Sequence, residues 1–252
     1  MAGAGPYVWW YQHTMRLGFE NDEYAVFFRA AGSSERPGEP GEVDIHTGDR
    51  MHFVSADGVW LEDRGGFCGH SWGIRLAYNG HWGIGCHGDG SPNALRVSVF
   101  DRGSAIQTAL FGDGTDPTQR ALGGLVAVPG GFWLNHIQPG SEMHLSRVDD
   151  SASIVYDEVV PEATGLSTNY PFRAYMEAYG TSQLLLGWKS NGQLTLATAD
   201  LTTGALLEGP VAVNADIDDY VDFVSYPNGD VVWAFSPGRS SSIDIVRVSA
   251  CE

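Results

Sequence analysis

Four glycines recur at a nearly constant spacing along the chain, and each lies at a turn between two strand-like runs. They are Gly80, Gly130, Gly180 and Gly229, separated by 50, 50 and 49 residues. A fixed period of this length indicates an internal repeat, because a unit of a few short strands buries its faces only against its neighbours. The spacing therefore predicts an array of similar β-sheets.

Aligned on these glycines, the chain divides into five units of three or four strands. The predicted units are residues 1–65, 66–115, 116–165, 166–212 and 213–252. Tryptophans recur in the second strands, where we expect them to pack between units: Trp82, Trp133, Trp188 and Trp233. An aspartate ends three of the third strands, as expected of a tight turn into an outer strand: Asp101, Asp149 and Asp200.

The first and last units are irregular. Strands over Tyr7–Thr14, Tyr24–Ala30, Met51–Val54 and Val59–Leu61 make a first unit with an insertion between its second and third strands. The last unit stops after three strands. If Tyr7–Tyr11 completes that last unit instead, a count of six, or part of a larger ring, also fits.

The repeat length and the strand pattern resemble bacterial β-propellers as a class, over most of the chain. Neither a recurring Trp-Asp dipeptide nor a kelch double glycine points to a particular family. The resemblance implies an all-β propeller in one domain across residues 1–252, with five blades of four antiparallel strands. Closure of such a ring removes the exposed sheet edges.

The charge balance excludes several kinds of partner. The chain has 31 acidic and 14 basic residues, a net charge of −17, and Lys189 is its only lysine. Nucleic acid and anionic membrane surfaces would be repelled, and there is no apolar run long enough to insert in a membrane. The opening residues lack the features of a signal peptide. The composition nevertheless favours a secreted or periplasmic protein, so the expectation is that a signal peptide has been removed.

The repeat also assigns each loop to one side of the sheets. Loops that join strand two to strand three, or one blade to the next, share a side, here called the loop side. They are the longer loops, at 33–50, 64–71, 87–93, 113–120, 161–170 and 213–219. Because binding residues concentrate on loops that a rigid scaffold positions, function is expected on this side.

Histidines, acids and arginines gather in the loops of the first units. In an enzyme, His70 or His87 would act as a base, and Arg50 or Arg120 would clamp a substrate carboxylate. His46, Asp49 and Asp89 would contact a ligand. The alternative is that these are ordinary polar loop residues bonded to the neighbouring backbone.

Two cysteines flank the first hairpin of the second unit. Cys68 and Cys86 are predicted either to form a disulfide, which requires an oxidising compartment, or to bind zinc together with His70 and His87. Adjacent strand residues point in opposite directions, which makes the Cys86–His87 pair awkward for a zinc site. Cys251 has no evident partner.

Further candidates come from acidic and aromatic residues. Asp216, Asp218 and Asp219 precede the last unit and suit calcium or a polar ligand, although a solvated acidic loop is the alternative. Asp116 adds a carboxylate from another unit. Trp72 and Tyr170 lie outside the repeated tryptophan positions and offer surfaces on which sugar rings stack.

Three functions follow from these features. The first is an extracytoplasmic propeller that binds a carbohydrate or another polar ligand on its loop side. The second is a polysaccharide lyase or glycosidase that uses the histidines, arginines and aspartates of the same side. The third is a scaffold that binds a protein partner.

Overall fold

The computed structural model describes most of the chain. The described residues are 8–9, 15–35, 43–65, 67–69, 73–88, 94–112, 120–167, 174–218, 221–236 and 242–250, with side chains except at 8–9, 29–35 and 43–47. Within those ranges, no helix has the length and apolar character needed to cross a membrane. The chain forms two compact units, residues 1–117 and 118–252, which are described in turn. From here on, the first unit and the second unit mean these two parts, and the five repeats are called blades.

The first unit contains two antiparallel sheets. The strands of the first sheet are β1 (Val8–Trp9), β2 (Arg16–Glu20), β3 (Glu23–Glu35), β4 (Val43–Ser55) and β5 (Trp60–Gly65). The strands of the second sheet are β6 (Gly73–Tyr78), β7 (Trp82–His87), β8 (Leu95–Phe100) and β9 (Gln107–Phe111), paired in chain order.

The second unit contains three sheets, each also paired in chain order. The third sheet is β10 (Ala121–Val128), β11 (Gly131–Ile137), β12 (Met143–Asp149) and β13 (Ile154–Val159). The fourth is β14 (Ala174–Tyr179), β15 (Gln183–Ser190), β16 (Gln193–Asp200) and β17 (Leu206–Ala212). The fifth is β18 (Val224–Ser225), β19 (Val231–Phe235) and β20 (Asp244–Val248).

These five sheets are the blades of a five-bladed β-propeller, so the fold class and the blade number predicted from the repeat are confirmed. The strands of each blade fall within one of the five predicted segments. The last blade has three strands among the described residues, as expected from the sequence.

The repeated glycines occupy the turn between the first and second strands of their blades. Gly80, Gly130, Gly180 and Gly229 have φ values of 113°, 77°, 60° and 84°, a region that residues with a Cβ rarely adopt. The aspartate turns are also confirmed at two blades. Asp149 Oδ1 accepts hydrogen bonds from the amides of Ser151 and Ser153, and Asp200 Oδ1 from those of Thr202 and Thr203.

The first blade departs from the prediction at its insertion. Residues 33–35 and 43–50 of the predicted loop are paired strand, because β3 and β4 pair along their whole length, from Glu23 opposite Ser55 to Glu35 opposite Val43. These parts of the predicted insertion extend the two strands. His46 and Asp49 therefore lie on a strand, and the predicted loop at 64–71 begins later, since β5 continues to Gly65.

The strand assignment before residue 30 is also corrected. Val8 and Trp9 pair with Ala31 and Ala30 of β3, so they belong to the first blade and do not complete the last one. The sequence reading missed β2, which pairs with β3 through a tight turn at Asn21 and Asp22. Both turn residues have positive φ, 52° and 59°, as a two-residue hairpin turn of this kind requires.

Each unit has its own hydrophobic core, and the repeated tryptophans are part of it. Trp82 lies in the core of the first unit, and Trp133, Trp188 and Trp233 lie in the two core clusters of the second. Two of them also donate hydrogen bonds to loop carbonyl oxygens. Trp133 Nε1 donates to Leu201 O and Trp233 Nε1 donates to Asp216 O, both at 2.7 Å. Their role is packing.

Candidate functional site

The structure describes about half of the predicted site residues. His70, Trp72, Asp89, Asp116, Tyr170 and Asp219 lie outside the described residues, and for His46 only the backbone on β4 is described. Described with side chains are Asp49, Arg50, Cys68, His87, Arg120, Asp216 and Asp218. Asp49 and Cys68 lie beside Cys86 of β7, and His87 follows Cys86 at the end of that strand.

A disulfide joins Cys68 to Cys86, with 6.0 Å between the two Cα atoms. This is the first of the two alternatives that the cysteine spacing predicted. The zinc alternative is corrected for these two residues, because a sulfur in a disulfide is not a thiolate and does not ligate zinc. The bond links the connection between β5 and β6 to the end of β7.

The buried carboxylate of Asp49 lies beside this disulfide. Asp49 on β4 is 2% exposed, and its Oδ2 accepts a hydrogen bond of 3.1 Å from the amide of Cys68. A carboxylate oxygen of Asp49 and the sulfurs of Cys68 and Cys86 all lie within 4.8 Å of one another. Asp49 therefore holds the same short segment as the disulfide does.

Arg96 supplies a third attachment for this segment, and no sequence pattern predicted it. Its Nη1 on β8 donates a hydrogen bond of 2.8 Å to the carbonyl oxygen of Phe67, and the residue is 9% exposed. Burial lowers the pKa of Arg96, while the charge of Asp49 acts in the opposite direction. Residues 67–69 are thus fixed by a covalent bond and two hydrogen bonds to charged groups, and we call them the anchored turn.

His87 lies at the end of β7, directly after the disulfide cysteine. It pairs with Gly73 on β6 and with Leu95 on β8 and is 3% exposed. Successive strand residues point to opposite faces, so His87 and Cys86 are directed to different sides of the second blade. Its proposed roles as a base or a metal ligand stay predictions.

Arg50 is engaged within its own blade. Its Nη2 lies 2.6 Å from Asp63 Oδ2, and His52 Nε2 lies 3.3 Å from the other oxygen of that carboxylate. Burial lowers the pKa of His52 against the opposing effect of Asp63. A substrate carboxylate would therefore compete with Asp63 for Nη2 of Arg50.

The acidic residues before the last blade are tied into the second unit. Asp216 forms an ion pair with Lys189, and Asp218 Oδ2 accepts a hydrogen bond of 2.8 Å from the amide of Ser236. A calcium ion would compete with both contacts. The calcium site remains a prediction.

The third blade holds a polar cluster that no sequence pattern singled out. His136 on β11, His144 and Ser146 on β12, and Asp157 on β13 form this third-blade cluster. The predicted residue Arg120 lies close enough to influence its charge, since it lowers the pKa of His136. The cluster depends on the cross-strand register, which cannot be derived from the spacing of residues along the sequence.

No protein-family model and no curated protein matches the chain. Solved structures do match. The β-propeller domain of the Trilobed protease from Pyrococcus furiosus, described as having an open velcro topology, has a TM-score of 0.54 at 7% identity, covering 95% of this chain and 70% of that one. The Dos1 propeller has a TM-score of 0.50 at 8% identity, covering 84% of this chain and 63% of that one.

Glycoside hydrolases are also among the matched structures. The catalytic domain of a Coprinopsis cinerea GH62 α-L-arabinofuranosidase has a TM-score of 0.49 at 10% identity, covering 91% of this chain and 85% of that one. At such identities, the two propellers with the higher TM-scores show the fold alone, and that fold is the β-propeller.

Proposed function

We propose that this propeller binds a carbohydrate, or another ligand rich in hydroxyl groups, on its loop side beside the anchored turn. The observation that carries the proposal is the triple attachment of residues 67–69 by the Cys68–Cys86 disulfide, Asp49 and Arg96. A binding segment benefits from it, because contact groups that are already ordered lose less conformational entropy when the ligand binds.

The residues that follow the anchored turn have the chemistry that sugars require. In the sequence, Gly69 leads directly to His70, Ser71 and Trp72. An indole offers a flat apolar face to the C–H face of a sugar ring, and imidazole and hydroxyl groups exchange hydrogen bonds with sugar hydroxyls. We therefore assign ligand contact to His70 and Trp72.

The negative net charge of the chain favours neutral glycans over acidic ones as ligands. A net charge of −17 repels polyanions such as uronate polymers over the range of the Debye length. Neutral glycans are the expected ligands. The same repulsion weighs against the lyase alternative, whose substrates are uronate polymers.

The disulfide supports an extracytoplasmic location for this function. Disulfides persist in secreted and periplasmic proteins and are reduced in most cytosols. The Cys68–Cys86 bond closes an 18-residue separation and fixes the anchored turn only when oxidised. We therefore infer that the protein acts in an oxidising compartment.

Catalysis and protein scaffolding are the other two functions that the sequence predicts, and no described contact favours either. His87 is buried, and Arg50 already binds Asp63. A glycosidase assay on neutral arylglycosides and an absorbance assay for unsaturated uronates test the enzymatic alternative. Turnover that is lost in His70→Ala and His87→Gln would replace the binding proposal with catalysis.

A neutral-glycan array followed by calorimetric titration of the strongest ligand tests the proposal. Trp72→Ala and His70→Ala are expected to weaken binding at least tenfold without changing the far-ultraviolet circular dichroism spectrum. Trp60→Ala is the matched control, because Trp60 begins β5 at the opposite end from the loop side and is 54% exposed. Binding to no glycan, or equal binding by Trp72→Ala and the wild type, overturns the proposal.

A further inference from the structure

Three Asn-Gly pairs occur in the sequence, and each lies at a turn between two paired strands. They are Asn79-Gly80, Asn191-Gly192 and Asn228-Gly229. In such a pair, the backbone nitrogen of the glycine approaches the preceding side-chain amide with little steric hindrance, because glycine has no Cβ. The three turns differ in how the asparagine side chain is held.

Hydrogen bonds hold the asparagine side chain in two of these turns. Asn79 Oδ1 accepts one of 3.0 Å from the amide of His81. Asn228 Nδ2 donates one of 2.9 Å to Asp230 Oδ2, and Asn228 Oδ1 accepts one of 3.3 Å from the amide of the same aspartate. These bonds must break before the side-chain carbon can move onto the glycine nitrogen, which adds to the barrier of any reaction between them.

The third turn leaves its asparagine side chain exposed. Asn191 and Gly192 form the two-residue turn between β15 and β16, where Ser190 is paired with Gln193. Within the part of the chain that the structure describes, the Asn191 side chain makes no hydrogen bond. The φ values of the two turn residues, 51° and 80°, are positive, as a type I′ turn requires. A Cβ placed on Gly192 would meet no atom within 4 Å, so the turn is surrounded by open space there.

We propose that Asn191 is a site of spontaneous deamidation, at which the next residue of the turn supplies the nucleophile. The backbone nitrogen of Gly192 attacks Cγ of Asn191, and the Cγ–Nδ2 bond breaks. The side-chain nitrogen takes up the proton of the attacking nitrogen and leaves as ammonia. Water then opens the cyclic imide at either of its carbonyl carbons, which gives aspartate or isoaspartate.

Ring closure requires a local opening of the hairpin end. The backbone of Asn191 must leave the type I′ conformation, because its side chain and the Gly192 nitrogen become members of one ring. Only the terminal pair, Ser190 with Gln193, has to separate for this, and the fully buried core of the strand begins at Leu194. Exposed hairpin ends open at a much lower free energy than buried strands do.

The modification would change the loop side of the fourth blade. The turn joins the second strand of that blade to the third, and loops of this kind define the loop side. Each event replaces a neutral amide with a carboxylate in a chain whose net charge is already −17. Isoaspartate also adds a methylene group to the backbone, so a two-residue turn can no longer keep β15 and β16 in their present register at this end.

Peptide mass spectrometry of the oxidised full chain tests the proposal, after incubation in mildly alkaline buffer at body temperature. Conversion at Asn191 is expected to be at least tenfold faster than at Asn79 or Asn228. These two are matched controls, because they share the Asn-Gly sequence in the same molecule. Incubation in ¹⁸O-labelled water should label the new carboxylate, and Asn191→Gln should abolish conversion at this position because its longer side chain closes a larger ring.

Two results overturn the site. One is an equal rate at all three asparagines, which would show that the hydrogen bonds of the other two turns give no protection. The other is an unmodified Asn191 under conditions in which a synthetic peptide of residues 187–196 deamidates, which would show that the closed turn prevents the reaction. Neither result depends on whether a glycan binds.

Discussion

Asn135 donates a hydrogen bond of 2.9 Å from its Nδ2 to the carbonyl oxygen of Tyr175, from the third blade to the fourth. Its Oδ1 accepts one of 2.6 Å from the amide of Gly124 on β10, where the pairing of β10 with β11 shifts register between Leu122 and Leu125. The fully buried side chain of Asn135 thus supplies an acceptor to a backbone amide of the irregular strand and a donor to a carbonyl of the next blade.

Asn135→Ala is therefore expected to lower the free energy of unfolding by about 1 to 3 kcal/mol, because it removes the hydrogen bonds that the Asn135 side chain makes to a buried amide and to a carbonyl of the next blade. Urea denaturation at neutral pH measures the change. Glu208→Ala on the exposed face of β17 is the control and should change stability by less than about 0.5 kcal/mol. An Asn135→Ala variant as stable as the control contradicts this role.

Removing the disulfide should destabilise the first unit. A bond that closes an 18-residue separation restricts the unfolded chain by about 3 kcal/mol. Replacement of Cys68 and Cys86 by serine is expected to lower the thermal midpoint, and a reducing agent should produce the same shift in the wild type. A midpoint that neither treatment changes would show that the bond contributes nothing to stability.

Asp49→Ala removes the carboxylate that the Cys68 amide and the charge of Arg96 both face. The expected loss is about 1 to 3 kcal/mol, since a buried donor loses its acceptor and a buried cation loses a compensating charge. Hydrogen exchange should also become faster at the amide of Cys68. Unchanged exchange at that amide would contradict the anchoring role of Asp49.

Stability should fall as the pH decreases below 6.5. The pKa of His136 is about 3 in the folded protein against an ordinary value of 6.5, so the unfolded chain binds the proton first. Unfolding is then favoured progressively as the pH falls through this window, by at most about 1.4 kcal/mol per pH unit. His136→Gln removes the titrating group and should flatten the dependence between pH 6.5 and 4.5, measured by urea denaturation. An identical slope in both proteins would contradict the burial of neutral His136.

The blades were predictable because they depend on local signals. A glycine at each first turn, a tryptophan in the second strand and an aspartate after the third are each required by local backbone geometry or packing, and they recur at a readable period. The first blade was less predictable because β3 and β4 extend beyond the repeat length. Residues 33–35 and 43–50 have a loop-like composition but lie on paired strands.

The site was predictable only in part, since its contacts are non-local. The cysteine spacing pointed to the hairpin that the disulfide closes, but it did not distinguish the disulfide from zinc. Arg96 was missed because its partner Phe67 lies 29 residues away and contributes only a backbone carbonyl. The third-blade cluster was missed because it depends on which residues are opposite each other across three strands.

The binding proposal is tested most directly by the affinity for the array-selected neutral glycan before and after reduction of the Cys68–Cys86 disulfide, under conditions where circular dichroism shows that the fold persists. Reduction frees one of the three attachments of the anchored turn, and we expect binding to weaken at least tenfold. Equal affinity in the oxidised and reduced forms would contradict the claim that the anchored turn positions the ligand contacts.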